Sequence, residues 1–346
     1  MTDVNRRTFI KGVVGTGASL LASNSFASIG NCAGQTAPYD PKGLPTAFFG
    51  STGVEIPRIV LGLGSRFCHI DTVEESSEML NFALDNGFYY WDTAHIYDNS
   101  LATPPGKVKS SEHIVSEVRV GEVIKYRRKE VFLSTKVSAR EPSEAMREIE
   151  DSLKQLNTDH LDMLKIHDVQ SIEDVDQMSR KGHLVDILCR LKEEKVARFI
   201  GFSGHGDALA LKEMVKRASF DSMLVAMNHW GQKGAPFQRQ ELAIPAGKEK
   251  KMGVLLMKAV RPKETIPGLS VPDLVRYALS LEGPDAVVIG MDSVAVVQSN
   301  LNILKNFKKL SQERMNELAI RLEPFYRHEN LPWMQKGYID GMWNQG

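Results

Sequence analysis

The stretch RIVLGLGSRF, residues 58–67, decides between two parallel α/β architectures. It is an apolar run ending in a glycine-bearing turn, the place where an open doubly wound sheet carries G-x-G-x-x-G to bring its backbone close to a pyrophosphate. Here only Gly62 and Gly64 are present, which argues against the open sheet. Seven further apolar runs follow: FYYWDTA at 88–94, VFLSTKV at 131–137, LDMLKIH at 161–167, ARFIGFS at 197–203, DSMLVAMN at 221–228, GVLLMKA at 253–259 and DAVVIG at 285–290. Amphipathic stretches separate them. In SEAMREIEDSLKQL, 143–156, Ala145, Ile149, Leu153 and Leu156 recur at helical spacing after Ser143. Strand and helix units repeated eight times over about 250 residues predict a closed (β/α)8 barrel of the TIM type.

The flanking segments complete this α/β reading. AFFGSTGVEIP, 47–57, predicts an N-terminal hairpin turning at Thr52 and Gly53 and plugging the bottom of the barrel. SQERMNELAIRLEPF, 311–325, predicts a C-terminal helix, and LPWMQKGYIDGMWNQG, 331–346, an aromatic tail over one barrel face.

Lysine plus arginine equals aspartate plus glutamate, 43 each among 346 residues, so no global positive field recommends nucleic acid or an anionic membrane as partner. Small molecules fit better. An apolar fraction of 42% and a charged fraction of 25% are those of a soluble globular chain. Cys32, Cys68 and Cys189 are too scattered for a disulfide framework or a zinc cluster, so no metal is expected.

Residues 1–30 read as a separate segment and 31–346 as one barrel domain with its tail. NRRTFIKGVVGTGASLLASNSFA, 5–27, has a basic start, a weakly apolar middle and small residues at its end, the zones of an export signal. It resembles a twin-arginine signal in Arg6, Arg7, Phe9, Ile10 and Lys11, which implies the twin-arginine export machinery as a partner and a periplasmic or otherwise exported location. Cys32 follows closely, but Asn31 stands where a lipid-anchoring signal wants a small residue, so anchoring is not expected. Beyond the signal no apolar run reaches about 18 residues, so no transmembrane helix is expected.

Chemistry in such a barrel sits at the C-terminal ends of the strands, so the polar residues that close apolar runs are the ones to collect. Asp92 closes the second run with Tyr97 in its loop, Lys136 the third, and His167 the fourth. Taken singly, Asp92 is a helix cap, Lys136 a snorkelling side chain, His167 a satisfied core histidine and Tyr97 a packing ring. Together they have a chemical logic. A lysine ammonium in a low-dielectric pocket needs a carboxylate, and a phenol beside it, otherwise near pKa 10, has its ionisation eased. Such a phenol can protonate a carbonyl oxygen as hydride reaches carbon, with an imidazole orienting that oxygen.

On these residues the chain resembles the aldo-keto reductase superfamily. WDTAHIY carries the aspartate and tyrosine, STK ends at Lys136 and KIH at His167. IEDSLKQLNTDHLDMLKIHD, KVARFIGFSGH and VVIGMDSVAVVQSNL extend the match from about Leu61 to Leu304. The resemblance implies a barrel that binds an extended nicotinamide dinucleotide without a Rossmann domain, and hydride transfer to an aldehyde or ketone or the reverse.

For the cofactor, the resemblance implies Ser203 on the nicotinamide carboxamide, Asn228 beside it, Met257 against the ring, Lys258 near the pyrophosphate, Gly290 opening the phosphate loop and Asn300 touching adenine. Two family contacts are absent: the asparagine after the serine is Gly204, and the glutamine of the sixth strand is Leu224. The Ser-Gly-His run reads as subfamily character. DSVAVV lacks the basic residue that pairs the 2′-phosphate of NADP(H), and Lys305, Lys308 and Lys309 read as a solvated face. Family habit alone puts NADP(H) slightly ahead of NAD(H).

Among His95, His205, His229, Trp230, Trp333 and Trp343, some are expected to line a pocket for a sugar-like ring. The histidine spacing matches no zinc motif, and no paired carboxylates support a glycoside hydrolase. Two readings remain: an exported NAD(P)(H)-dependent oxidoreductase on a carbonyl or alcohol, and a largely non-catalytic nicotinamide-binding barrel acting through a protein partner. The four residues at the strand ends favour the enzyme.

Overall fold

Two short strands come first, β1 (Thr46–Phe48) and β2 (Glu55–Pro57), paired antiparallel. Eight more follow: β3 (Ile59–Gly62), β4 (Tyr90–Asp92), β5 (Phe132–Val137), β6 (Leu161–Ile166), β7 (Ala197–Gly204), β8 (Ser222–Ala226), β9 (Gly253–Met257) and β10 (Ala286–Gly290). These eight run parallel, and β10 pairs back onto β3 to close a barrel. All eight apolar runs of the sequence are strands of this barrel. The computed structural model describes residues 39–100, 111–205, 207–227, 242–264, 266–326, 331 and 333, which from Tyr39 onward fall in one compact unit.

Every residue of β5 and β6 is buried, as a strand between a packed interior and an outer layer of helices requires. The outer helices begin on local signals. Thr72 and Glu75 form a reciprocal capping box at the start of Val73–Asp85. Pro142 opens Pro142–Gln155 behind Glu141, so Ser143 lies inside the first turn rather than before it. That helix buries Ala145, Ile149 and Leu153, three residues of the predicted stripe.

The hairpin closes the end of the barrel where the strands begin. Phe49 stands edge-on to Tyr90 and Phe132, with ring centroids 5.8 and 6.4 Å away. Gly253, at the start of β9, leaves room for it: a Cβ there would sit 2.2 Å from the Phe49 ring. Below the same rings, Asp162 accepts from Tyr39 Oη at 2.5 Å and pairs with Arg128 at 2.8 Å. With this end sealed, chemistry is left to the opposite end. The helix Gln312–Leu322 packs on Val271–Ser280, and Trp333 is buried beside Phe325 at 5.9 Å. The rest of the tail lies outside the described residues.

Candidate active site

Side chains alternate between the faces of a strand, so Tyr90 and Asp92 of β4, Ser134 and Lys136 of β5, and Lys165 of β6 project into one barrel interior. Register sets their neighbours: Asp92 is the Cα partner of Ser134, and Lys136 of Lys165. Lys136 Nζ donates to Thr93 O at 2.8 Å and to Tyr97 Oη at 3.3 Å, and is 2.7 Å from Asp92 Oδ2. The same ammonium lies 4.7 Å from the Tyr97 ring centre. Tyr97 is fixed by its backbone, whose N–H donates to Ala94 O and whose carbonyl accepts from Ser116 N at 2.9 Å. Its ring packs on Cys68 and Ala94, and Gly64 gives it space, since a Cβ there would touch Tyr97 Cε2 at 3.4 Å. The His167 ring stands edge-on to Tyr97 at 5.5 Å, with Nδ1 3.1 Å from Ser138 Oγ.

The fold therefore brings together Asp92, Tyr97, Lys136 and His167. Asp92, Lys136 and His167 are each 2% exposed and Tyr97 8%, so Tyr97 is the most exposed residue of the four.

One residue of this cluster was missed from sequence. Lys165 is wholly buried, and its ammonium donates to Asp92 Oδ1 at 2.5 Å, Ser134 Oγ at 2.9 Å and Tyr90 Oη at 3.2 Å. Burial alone would raise the Asp92 pKa; Lys136 and Lys165 outweigh it and hold the carboxyl at about 2. Burial pushes the Lys165 pKa down, against the pull of Asp92. Lys165 stands two places before His167 within LDMLKIH, on the same strand face, and that spacing was the available signal.

Above the cluster a cleft of about 340 Å³ opens at the ends of the strands, lined by Gly64, Tyr97, Leu224, Met257, Lys258 and Gly290 among others. Arg66, Arg261 and Lys263 line it too, none of them expected from sequence. Four cationic side chains, counting Lys258, suit a dianionic pyrophosphate, and the apolar floor of Met257 and Leu224 suits a flat ring. Among the described residues the only carboxylate on that lining, Asp92, is bound to two lysines. The residues present thus fit a dinucleotide.

Ser203 Oγ accepts from Asp168 N at 3.0 Å and donates to Ile166 O at 3.4 Å, tying β7 to β6. Gly204 has no room for the family asparagine: a Cβ would lie 2.4 Å from Leu211 Cδ2 and 3.0 Å from Val169 O. Asn300 is buried on Val294–Lys305 with Nδ2 donating to Val296 O at 3.0 Å, and it is not among the described residues lining the cleft. Lys305, Lys308 and Lys309 are exposed. Asn228 lies outside the described residues.

Of the six aromatic and histidine candidates for the pocket, His95, His205 and Trp333 lie among the described residues. His95 turns to Glu117 at 3.7 Å and Ser152 at 3.3 Å, and His205 is buried with Nδ1 2.7 Å from Asp168 Oδ1. Neither these two nor Trp333 is among the described residues lining the cleft: polar partners hold the histidines, and Trp333 packs on Phe325. His229, Trp230 and Trp343 lie outside the described residues. Among the described residues no cluster of three or more His, Cys, Asp or Glu is placed to hold a metal, and no helix is long and apolar enough to cross a membrane.

Residues 58–254 match the model of the Aldo/keto reductase family. Aldo-keto reductase family 1 member C18 of Rattus norvegicus is 29% identical over 166 residues, 44% of this chain and 48% of that protein. The chain thus spans about half the length of the first curated relatives it matches. L-galactose dehydrogenase of Arabidopsis thaliana is 25% identical over 326 residues, 82% of this chain and 95% of that protein. In fold, the holo form of aldo-keto reductase AKR11C1 from Bacillus halodurans superposes with a TM-score of 0.62 at 20% identity, over 80% of this chain and 96% of that one.

Proposed function

The chain belongs to the aldo/keto reductase family, and from that premise we propose that it is an NAD(P)(H)-dependent oxidoreductase moving a hydride between nicotinamide and a carbonyl or alcohol carbon. The observation that carries this reading is Lys136 Nζ set between Asp92 Oδ2 at 2.7 Å and Tyr97 Oη at 3.3 Å beside the cleft.

When bound, the dinucleotide supplies or accepts the hydride. The residues handle the proton. In reduction Tyr97 gives its Oη proton to the substrate oxygen, and the Lys136 ammonium stabilises the phenolate left behind. Asp92 holds that ammonium in place and takes no part in proton transfer. In the tautomer whose Nδ1 accepts from Ser138 Oγ, His167 carries its proton on Nε2 and can donate to the same oxygen. Met257 would hold the nicotinamide end, Lys258 and Arg261 the pyrophosphate, and Gly290 the adenosine end, all four on the cleft lining; for Ser203 and Asn300, buried off that lining, and for Asn228 the role rests on the family resemblance alone.

A small preference for NADP(H) is part of the proposal. Arg66 lays its aliphatic stem beside Gly290, and its guanidinium would supply the cation that DSVAVV lacks, while Asp292, 3.1 Å from that guanidinium, limits the gain. A sugar-like polyol is the proposed substrate class, supported by the relative named L-galactose dehydrogenase that aligns over 82% of the chain. Export by the twin-arginine route, with cofactor loaded beforehand, is proposed from Arg6, Arg7, Phe9, Ile10 and Lys11. Arg6→Lys with Arg7→Lys should leave the precursor in the cytoplasm; unchanged export would defeat that assignment.

The test of function is a titration with NADPH and NADH followed by tryptophan fluorescence, then a screen of aldehydes, ketones and aldoses. Saturable binding with turnover supports the enzyme. Binding without turnover would move the non-catalytic barrel ahead. No binding of either dinucleotide would show that a barrel with Gly204 and Leu224 in place of two amide side chains cannot hold the nicotinamide, and would defeat both readings.

A further inference from the structure

We propose that Lys165 is a positioning residue of the active site, acting through Asp92 to keep Lys136 an effective cation toward Tyr97. The inference rests on the chemistry proposed above and adds a residue to it.

A single carboxylate serves both lysines: Asp92 Oδ2 meets Lys136 at 2.7 Å and Oδ1 meets Lys165 at 2.5 Å. With Lys136 alone, Asp92 would form a closed neutral pair, and the phenol would face little more than a dipole. The second ammonium leaves the three groups with one net positive charge in a water-poor interior, where charge acts over longer range than in water. Stability does not explain this arrangement. Replacing buried ions by apolar residues of similar volume is often neutral or stabilising, and like charges side by side on a sheet repel. Lys165 is wholly buried and is not among the described residues lining the cleft, so it acts through its neighbours and not on substrate.

The other described carboxylates near these groups are engaged elsewhere: Asp162, which acts on Tyr90, pairs with Arg128, and Asp98, which acts on Cys68, is taken by Ser100 N and His113. Around Lys165 stand Asp92 and Tyr90 from β4, Ser134 and Lys136 from β5, and Gly201 opposite it on β7. Burial keeps the Tyr90 phenol protonated. Around Tyr97 stand Lys136, His167 and Cys68, the last held neutral by burial. Glu117 is engaged on the far side of the loop by Thr135 at 2.5 Å and His95 at 3.7 Å.

A cation favours the phenolate, so removing the Lys165 charge must raise the pH at which Tyr97 ionises. The test uses full-length Lys165→Met, Lys165→Gln and Lys165→Arg. Each is titrated by phenolate ultraviolet absorbance against the same protein carrying Tyr97→Phe, so that the difference reports Tyr97 alone. The midpoint should rise by about one pH unit in the Met and Gln variants and stay in place in the Arg variant. Alcohol oxidation, which uses the phenolate, should fall about tenfold at a fixed pH below the midpoint, with KM for the alcohol unchanged.

Lys165→Gln keeps a hydrogen bond to Asp92 and guards against a folding defect in the Met variant. An unmoved midpoint in either folded neutral variant overturns the proposal, and so does failure of both to fold, which would make Lys165 structural. A shifted midpoint in a protein that turns over no carbonyl would sink the proposed reaction and leave the role of Lys165 standing.

Discussion

Lys136 and Lys165 are Cα partners on adjacent parallel strands, with both ammonium groups on the carboxylate of Asp92. Side by side on one barrel wall, the two lysines would repel, and Asp92 is what lets them coexist. Its carboxylate is therefore at once the keystone of the interior charge cluster and the holder of the lysine that faces Tyr97.

Tyr97→Phe removes the proton donor and leaves the ring packed on Cys68 and Ala94. Carbonyl reduction should fall by about 10²–10⁴-fold. Dinucleotide affinity should be unchanged within about twofold, since the hydroxyl is assigned to the substrate oxygen and Lys136. Steady-state kinetics beside a fluorescence titration check both, and retained turnover would refute the proton-donor role.

Asp92→Asn leaves two buried ammonium groups without their counter-charge, and should destabilise the fold by about 3–5 kcal/mol at neutral pH. The acid dependence carries a second signature. The folded carboxyl lies at about 2, below the ordinary carboxylate value, so its contribution is present above about pH 4 and is lost as pH falls through about 2. That loss amounts to about 2 kcal/mol in the parent protein and should be missing in Asp92→Asn. Urea denaturation across that pH range reads it; identical acid limbs would refute the ion-pair account.

Gly204→Ala places a methyl against Leu211 Cδ2 and the Val169 carbonyl. The backbone oxygen cannot swing aside as a side chain can, so a loss of about 1–3 kcal/mol is expected from overpacking. Gly204→Asn should do worse and should not restore a carboxamide contact. Thermal unfolding measures the first effect, and tighter cofactor binding by Gly204→Asn would count against it.

Lys258→Met should weaken dinucleotide binding by about tenfold or more, because a charge-assisted bond to phosphate is removed. KM for the cofactor should rise with little change in kcat, and the parent affinity should fall with added salt more steeply than that of the variant. A cofactor affinity indifferent to Lys258→Met would place the pyrophosphate elsewhere in the cleft.

Much of the site was legible because its residues end apolar runs. Asp92, Lys136 and His167 each interrupt a run where a barrel strand meets its loop, and polarity at that position stands out. Lys165 was hidden by its place inside LDMLKIH, where a lysine two residues before a histidine looks like an interruption of an apolar strand and not like a member of a charge cluster. His95 and His205 show the opposite case: loop histidines look available, but Glu117 and Asp168 engage them from positions distant in sequence.

The sequence by itself determined the closed barrel, its hairpin plug and four of the polar groups at its open end. Those follow from periodicity and from where each apolar run stops, and both are local properties of the chain. Only the tertiary structure decided that Asp92 is shared between two lysines, that Gly204 is filled by Leu211, and that Arg66 and Arg261 reach the cleft. Those relations depend on the register of neighbouring strands and on which helix packs where. Closing the barrel sets both, by bringing together residues tens to hundreds of positions apart.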